Sequence, residues 1–172
     1  EALNFAGLNR LPILFVCENN LYSTHLPIGE CRADARIYRI GAPLGVRSRR
    51  VDGNDVLKVY EAAREAMARC RAGEGPALME AMTYRLRGHV GPDDNVQGEH
   101  LDIRSPAEVA AWRRRDPLTR FGGRLLRQGV ATQGELAGIR EAAEEEAAAA
   151  HAFAKASPHP KEEDLSRDVF AS

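Results

Sequence analysis

The segment Ile13-Leu14-Phe15-Val16-Cys17 is apolar at every position and stops abruptly at Glu18-Asn19-Asn20. A strand with one wet face alternates apolar and polar residues. An unbroken apolar run fits a strand buried on both faces, as in parallel sheets. A second run, Pro76-Ala77-Leu78-Met79-Glu80-Ala81-Met82-Thr83-Tyr84, has the same character. Parallel strands cannot be joined by a tight hairpin and need a crossover, usually a helix. The sequence provides one. Asp52-Gly53-Asn54-Asp55 is a turn that supplies a helix cap. Val56, Val59, Ala63, Ala66, Met67 and Cys70 then follow helical spacing from about Asp55 to Arg71. Gly73 and Gly75 end that helix. Strand, helix and strand in this order predict a right-handed crossover of an α/β fold with a parallel sheet.

Around this unit the pattern is simpler. Residues 1–10 read as a short helical remnant that Pro12 breaks. Glu-Ala-Leu-Asn at the start lacks an initiator Met and reads as mid-helix, so an amino-terminal piece is expected upstream. Residues 21–50 contain Pro27, Gly29, Gly41, Pro43 and Gly45 and predict a long loop. One or two helical turns near Ala33–Arg39 and a short strand over Val46–Val51 interrupt it. Residues 85–105 predict a second loop. From Pro106 the pattern is helical, over about 106–115, about 117–128 and from Gln133 to Ala156. The tail Asp164–Phe170 is expected to pack on something, because Leu165, Val169 and Phe170 would otherwise be exposed. The expected organisation is an α/β domain over 1–105 and a helical region over 106–172.

Composition excludes several classes. The chain has 172 residues, enough for one domain with a real core. A net charge of -1 gives no global pull toward nucleic acid or an anionic membrane. The Arg113-Arg114-Arg115 run reads as a solvated helix face, since acidic residues balance it elsewhere. Cys17, Cys31 and Cys70 are odd in number and widely spaced, so neither a zinc site nor a disulfide framework is indicated. A reducing, cytoplasmic setting is the simplest expectation. No apolar run is long enough to span a bilayer.

Ligands of open parallel sheets sit outside the carboxyl ends of the strands. The two apolar runs end in Asn19-Asn20-Leu21-Tyr22 and in Arg85-Leu86-Arg87-Gly88-His89, and parallel strands bring both endings to one edge. Asn20 offers an amide oxygen and Tyr22 a backbone carbonyl, both suited to a hard cation such as Mg²⁺. Arg85 and Arg87 offer planar donors suited to phosphate. His89 can exchange a proton near neutral pH. Each has a plainer reading: an Asn-Asn pair after a strand makes a turn, a loop arginine is solvated, a histidine is structural. Their joint placement at two strand ends carries the case for a metal-bridged phosphate beside a histidine.

At these residues the chain resembles a known family. Leu11-Pro12-Ile13-Leu14-Phe15-Val16-Cys17-Glu18-Asn19-Asn20-Leu21-Tyr22 is similar to the second half of the thiamine-diphosphate motif, which opens with Gly-Asp-Gly and closes with Asn-Asn. The flanking text resembles the alpha subunit of the decarboxylating component of pyruvate, branched-chain 2-oxo acid and acetoin dehydrogenase complexes. Val51-Asp52-Gly53-Asn54-Asp55, Gly75-Pro76-Ala77-Leu78-Met79-Glu80 and Thr83-Tyr84-Arg85-Leu86-Arg87-Gly88-His89 carry that resemblance, with Arg115-Asp116-Pro117 and Ser157-Pro158-His159-Pro160 further on. It implies a thiamine-diphosphate-binding fold, here its carboxy-terminal part, followed by a helical tail. It implies Asn20 and Tyr22 as Mg²⁺ ligands, through side chain and carbonyl respectively, and Arg85 on the cofactor diphosphate. His89 would be the catalytic group beside the cofactor, donating a hydrogen bond to the substrate carboxylate or the lipoyl sulfur. The implied reaction is oxidative decarboxylation of a 2-oxo acid with acyl transfer to lipoamide. The implied partners are a beta subunit, in an alpha-2 beta-2 assembly, and the lipoyl domain of the acyltransferase component.

The chain departs from the family text in three ways. No Gly-Asp-Gly occurs, so the second Mg²⁺ ligand, an aspartate, is expected upstream of Glu1. Val90 follows Gly88-His89 where mitochondrial members carry a regulatory serine, which removes phosphorylation there. Val90-Gly91-Pro92-Asp93-Asp94-Asn95 differs from the commonest family text, which leaves the substrate open; His25 is a candidate for its pocket. Two rivals stand beside this reading: a non-catalytic truncated or split piece acting as an assembly module, and a transketolase-like enzyme. The Arg85–His89 loop and the carboxy-terminal helices argue against the second.

Overall fold

The segments expected to be strands pair into one parallel sheet. The computed structural model describes residues 1–89, 104–165, 167 and 169. Along the chain come α1 (Ala2–Leu8), β1 (Leu14–Asn19), a small hairpin of β2 (Tyr22–Ser23) and β3 (Leu26–Pro27), and α2 (Ile28–Cys31). Two 3-10 turns, Ile37–Ile40 and Ala42–Leu44, lead to β4 (Arg47–Asp52), α3 (Val56–Arg71) and β5 (Ala77–Met82). Helices α4 (Pro106–Arg113), α5 (Pro117–Arg127) and α6 (Gln133–Ala156) follow, with a last 3-10 turn at Glu162–Leu165. The chain divides into two compact units, Glu1–Gly123 and Arg124–Ser172.

The sheet order is β1-β5-β4, all parallel, so β5 is central and the β4-α3-β5 crossover lies within it. Side chains alternate faces along a strand. On one face Leu14, Val51, Met79 and Ala81 pack against Val59, Ala62 and Ala63 of α3, forming the core. Each such large apolar side chain contributes roughly 1.5–3 kcal/mol on burial. The expected cap is present: the Asp55 side chain accepts from Lys58 N at 3.3 Å. The turn before it is tight, with Gly53 N donating to Met82 O at 2.8 Å. A Cβ on Gly53 would lie 2.8 Å from that same oxygen, so no larger residue fits without displacing β5.

Two expectations need correction. The first apolar run does form a parallel strand, but β1 is one of the two outer strands of this sheet and Val16 is 52% exposed. Burial on both faces needs cover that β5 has and β1 lacks here; Ala77 to Ala81 are buried throughout. The 21–50 stretch holds a hairpin and α2 besides the helical turn expected near Ala33–Arg39, which is the 3-10 turn Ile37–Ile40. Elements of two to four residues are too short to leave a periodic signal. Leu165 and Val169 are exposed in this single chain, and Phe170 lies outside the described residues. Among the described residues, no helix is long and apolar enough to cross a membrane.

Candidate functional site

The register aligns Asn19, Met82 and Asp52 at the carboxyl ends of β1, β5 and β4. Everything that follows these residues emerges on one edge of the sheet. At β1 the chain turns at once. Asn19 Oδ1 accepts from Leu21 N at 3.1 Å and Asn20 Oδ1 from Tyr22 N at 3.0 Å, two successive Asx turns. Leu21 takes φ 72°, the left-handed region that a Cβ-bearing residue disfavours. The plain reading of Asn-Asn as a turn therefore holds, and the turn has a chemical consequence. An amide oxygen has two lone pairs, and Tyr22 N takes one of those on Asn20.

The hairpin that follows governs the Tyr22 carbonyl. Ile28 N donates to Leu21 O at 2.8 Å, which makes Leu21 and Ile28 a hydrogen-bonded pair. In an antiparallel ladder bonded and non-bonded pairs alternate, so the next pair, Tyr22 with Pro27, is non-bonded. The Tyr22 carbonyl therefore points away from β3. One short turn presents an amide oxygen and a carbonyl oxygen, the hard donors Mg²⁺ takes alongside phosphate oxygens and water. Among the described residues no cluster of three or more His, Cys, Asp or Glu forms a metal cage.

The second strand ending reaches the same turn. Arg85 Nη2 donates to Thr24 O at 2.6 Å, and the guanidinium lies 6.0 Å from the Tyr22 ring centre. Arg85 Nη1 is 3.4 Å from His89 Nδ1. A guanidinium only donates, so this contact is a hydrogen bond when Nδ1 is the acceptor. The His25 and His89 rings lie 6.5 Å apart, edge to face.

Two acidic residues brace this edge. Glu80 sits on β5 with none of its surface exposed. Its carboxylate accepts from Asn19 Nδ2 (2.6 Å), Arg50 Nε (2.9 Å), Arg50 Nη2 (3.1 Å) and Tyr38 N (3.1 Å). Burial alone would raise its pKa; the bonds from Arg50, Asn19 and the Tyr38 amide outweigh that and hold it below the usual value. Glu108, on α4, accepts through one oxygen from both Tyr22 Oη (2.8 Å) and Tyr84 Oη (3.0 Å). Burial, and then that bond to Glu108, push both phenols upward, so both remain donors at neutral pH. Trp112 stacks on Tyr84 with ring centres 5.1 Å apart, and Arg104 donates to the carbonyls of Arg85 and Arg87. At β4, Asp52 accepts from Asn54 N and Arg120, while Asn54 accepts from Thr83 Oγ1 at 2.7 Å and donates to Arg115 O at 2.9 Å.

A family model for the dehydrogenase E1 component matches residues 1–163. The chain belongs to that family. It is 40% identical over 171 residues to a chloroplastic pyruvate dehydrogenase E1 component subunit alpha-3 of Oryza sativa subsp. japonica, covering 99% of this chain and 39% of the relative. It is 35% identical over 171 residues to the pyruvate dehydrogenase E1 component subunit alpha of Rhizobium meliloti (strain 1021), covering 99% of this chain and 47% of the relative. Against a 3-methyl-2-oxobutanoate dehydrogenase subunit alpha of Mycobacterium tuberculosis it is 41% identical over 133 residues, 77% of this chain and 35% of the relative. The chain thus spans less than half the length of these relatives.

In this E1 family chain Asn20, Tyr22, Arg85 and His89 gather on one edge, with His25 beside His89. Arg87 is exposed, and its backbone carbonyl accepts from Arg104. The 90–95 stretch lies outside the described residues. The arginine run is exposed, as a solvated face should be, and the Arg115 guanidinium also lies 4.3 Å from the Trp112 ring centre and 3.8 Å from Asp52. Sequence reasoning missed the braces. Glu80 had a readable signal, a single charge inside an apolar strand, which must find partners. Glu108 had none, because a glutamate near the start of a helix is ordinary.

Proposed function

We propose that this chain acts as the thiamine-diphosphate- and Mg²⁺-binding alpha subunit of a 2-oxo acid dehydrogenase, working with a beta subunit. The observation that carries this reading is the meeting of the Asn19–Tyr22 turn with the Arg85–His89 loop on one sheet edge, joined by the Arg85 bond to Thr24 O. Family membership and the names of the relatives support it. Asn20 Oδ1 and the Tyr22 carbonyl hold Mg²⁺, and Arg85 binds the diphosphate through its planar donors. Residues 1–105 are this half of the thiamine-diphosphate fold, the helical region 106–172 follows it, and the subunits form an alpha-2 beta-2 assembly. Thiamine diphosphate supplies the electron sink for decarboxylation when bound. The residues of this chain anchor it and present His89. His89 would donate a hydrogen bond to the substrate carboxylate or to the lipoyl sulfur. A pyruvate-like 2-oxo acid and the lipoyl domain of the acyltransferase component are the reactants.

The test uses the complete enzyme with its beta subunit. Asn20→Ala abolishes Mg²⁺-dependent binding of thiamine diphosphate, measured by calorimetry. His89→Ala leaves that binding intact and lowers acylation of the lipoyl domain roughly 100-fold or more, the usual scale for one proton-handling group. Unchanged acylation in His89→Ala would remove its catalytic role. Unchanged cofactor binding in Asn20→Ala would remove the metal site.

A further inference from the structure

Glu80 is a costly feature with no evident return in stability. A buried ion pair is often no better than apolar residues of the same volume, and this carboxylate lies in the central strand of a sheet that is otherwise apolar along β5 apart from it. Its four donors come from β1, β4 and the Ile37–Ile40 turn, so one side chain ties together three separate pieces of the chain. Only one of these leads toward the functional edge. Asn19 Nδ2 faces Glu80 at 2.6 Å, which leaves Asn19 Oδ1 to accept Leu21 N at 3.1 Å. The opposite amide orientation would set oxygen against carboxylate and withdraw the acceptor from Leu21. The Asn19 carbonyl is fixed as well, by Thr83 N at 2.9 Å. Glu80 therefore selects the amide orientation that holds Leu21 at its left-handed φ of 72°, and Leu21 is the residue between the two candidate Mg²⁺ donors.

We infer that Glu80 is a positioning residue for the metal turn: acting through Asn19, it sets the spacing of the Asn20 amide oxygen and the Tyr22 carbonyl. This rests on the proposed Mg²⁺ role of that turn. Asn19→Ala cuts the link while leaving the Arg50 and Tyr38 bonds to Glu80 in place. Glu80→Gln replaces an acceptor-only group by one that must present a donor to Asn19, Arg50 or Tyr38.

The measurement is the Mg²⁺ concentration that half-saturates thiamine diphosphate binding, by calorimetry on the complete enzyme well below its unfolding temperature. Both variants should raise that concentration, Asn19→Ala by about tenfold, the effect of losing one well-placed hydrogen bond. Thr132→Ala, a cap variant on α6, should fray that helix and leave the Mg²⁺ requirement at the unaltered value. If Glu80→Gln does not fold, Asn19→Ala decides the matter. A lowered melting temperature with an unaltered Mg²⁺ requirement in Asn19→Ala overturns the inference and leaves Glu80 a structural brace. Cofactor binding by the unaltered enzyme that needs no Mg²⁺ overturns the metal reading beneath it.

Discussion

The carboxyl edge of the sheet and helix α6 are stabilised in opposite ways. At the edge, side chains far apart in sequence hold one another: Asn19 with Glu80, Tyr22 with Glu108, Asn54 with Arg115, Asp52 with Arg120. α6 runs for 24 residues with no buried residue. Its organisation is local, set by an Ala- and Glu-rich composition and a capping box in which Thr132 Oγ1 accepts from Glu135 N and Glu135 Oε2 accepts from Thr132 N. The difference shows where failure spreads. Losing one member at the edge leaves buried polar groups without partners, whereas losing one member in α6 frays a terminus.

The largest expected effect tests the edge. Arg50→Met leaves Glu80 buried without its cation and should cost about 3–5 kcal/mol in urea unfolding; a loss under about 1 kcal/mol would make the edge no different from α6. Acid probes the same contact. Glu80 is held below its ordinary pKa of 4.5, so its carboxylate contributes stability throughout the range above that value and loses it as pH falls through the depressed one. The stability difference between the unaltered protein and Arg50→Met should therefore shrink at low pH, as read from urea midpoints. Next comes Glu108→Ala, which strips two phenols of a shared charged acceptor and should cost about 2 kcal/mol. Its signature is a change in the fluorescence of Trp112, which stacks on Tyr84; an unmoved emission spectrum would mean that Tyr84 does not depend on Glu108. The smallest is Thr132→Ala, expected to cost about 1 kcal/mol through the lost cap. Circular dichroism should then show fraying at α6 alone, and a larger or global loss would mean that α6 is not locally held.

The same contrast explains what the sequence made legible. The bounds of α6, Gln133 to Ala156, follow from its composition and start signal alone. The crossover from β4 through α3 to β5 was readable because capping at Asp55, helical spacing and an apolar strand are all local patterns. Asn20, Tyr22, Arg85 and His89 could be singled out because parallel pairing brings strand ends to one edge. The braces could not be paired from sequence. Asn19 and Glu80 are 61 residues apart, and Tyr22 and Glu108 are 86 apart. No periodicity connects such residues; only the folded register does. Glu80 announced that it needed partners without naming them.

Pro27 gives the hairpin a property that no energy term would supply. It stands opposite Tyr22, and a proline nitrogen carries no hydrogen. In this register Pro27 therefore has no donor to offer the Tyr22 carbonyl. Pairing between the two strands therefore cannot compete at this position with an incoming ligand. Covalent structure thus rules out a ladder bond from Pro27 to that oxygen, and none has to open before the oxygen takes a new partner.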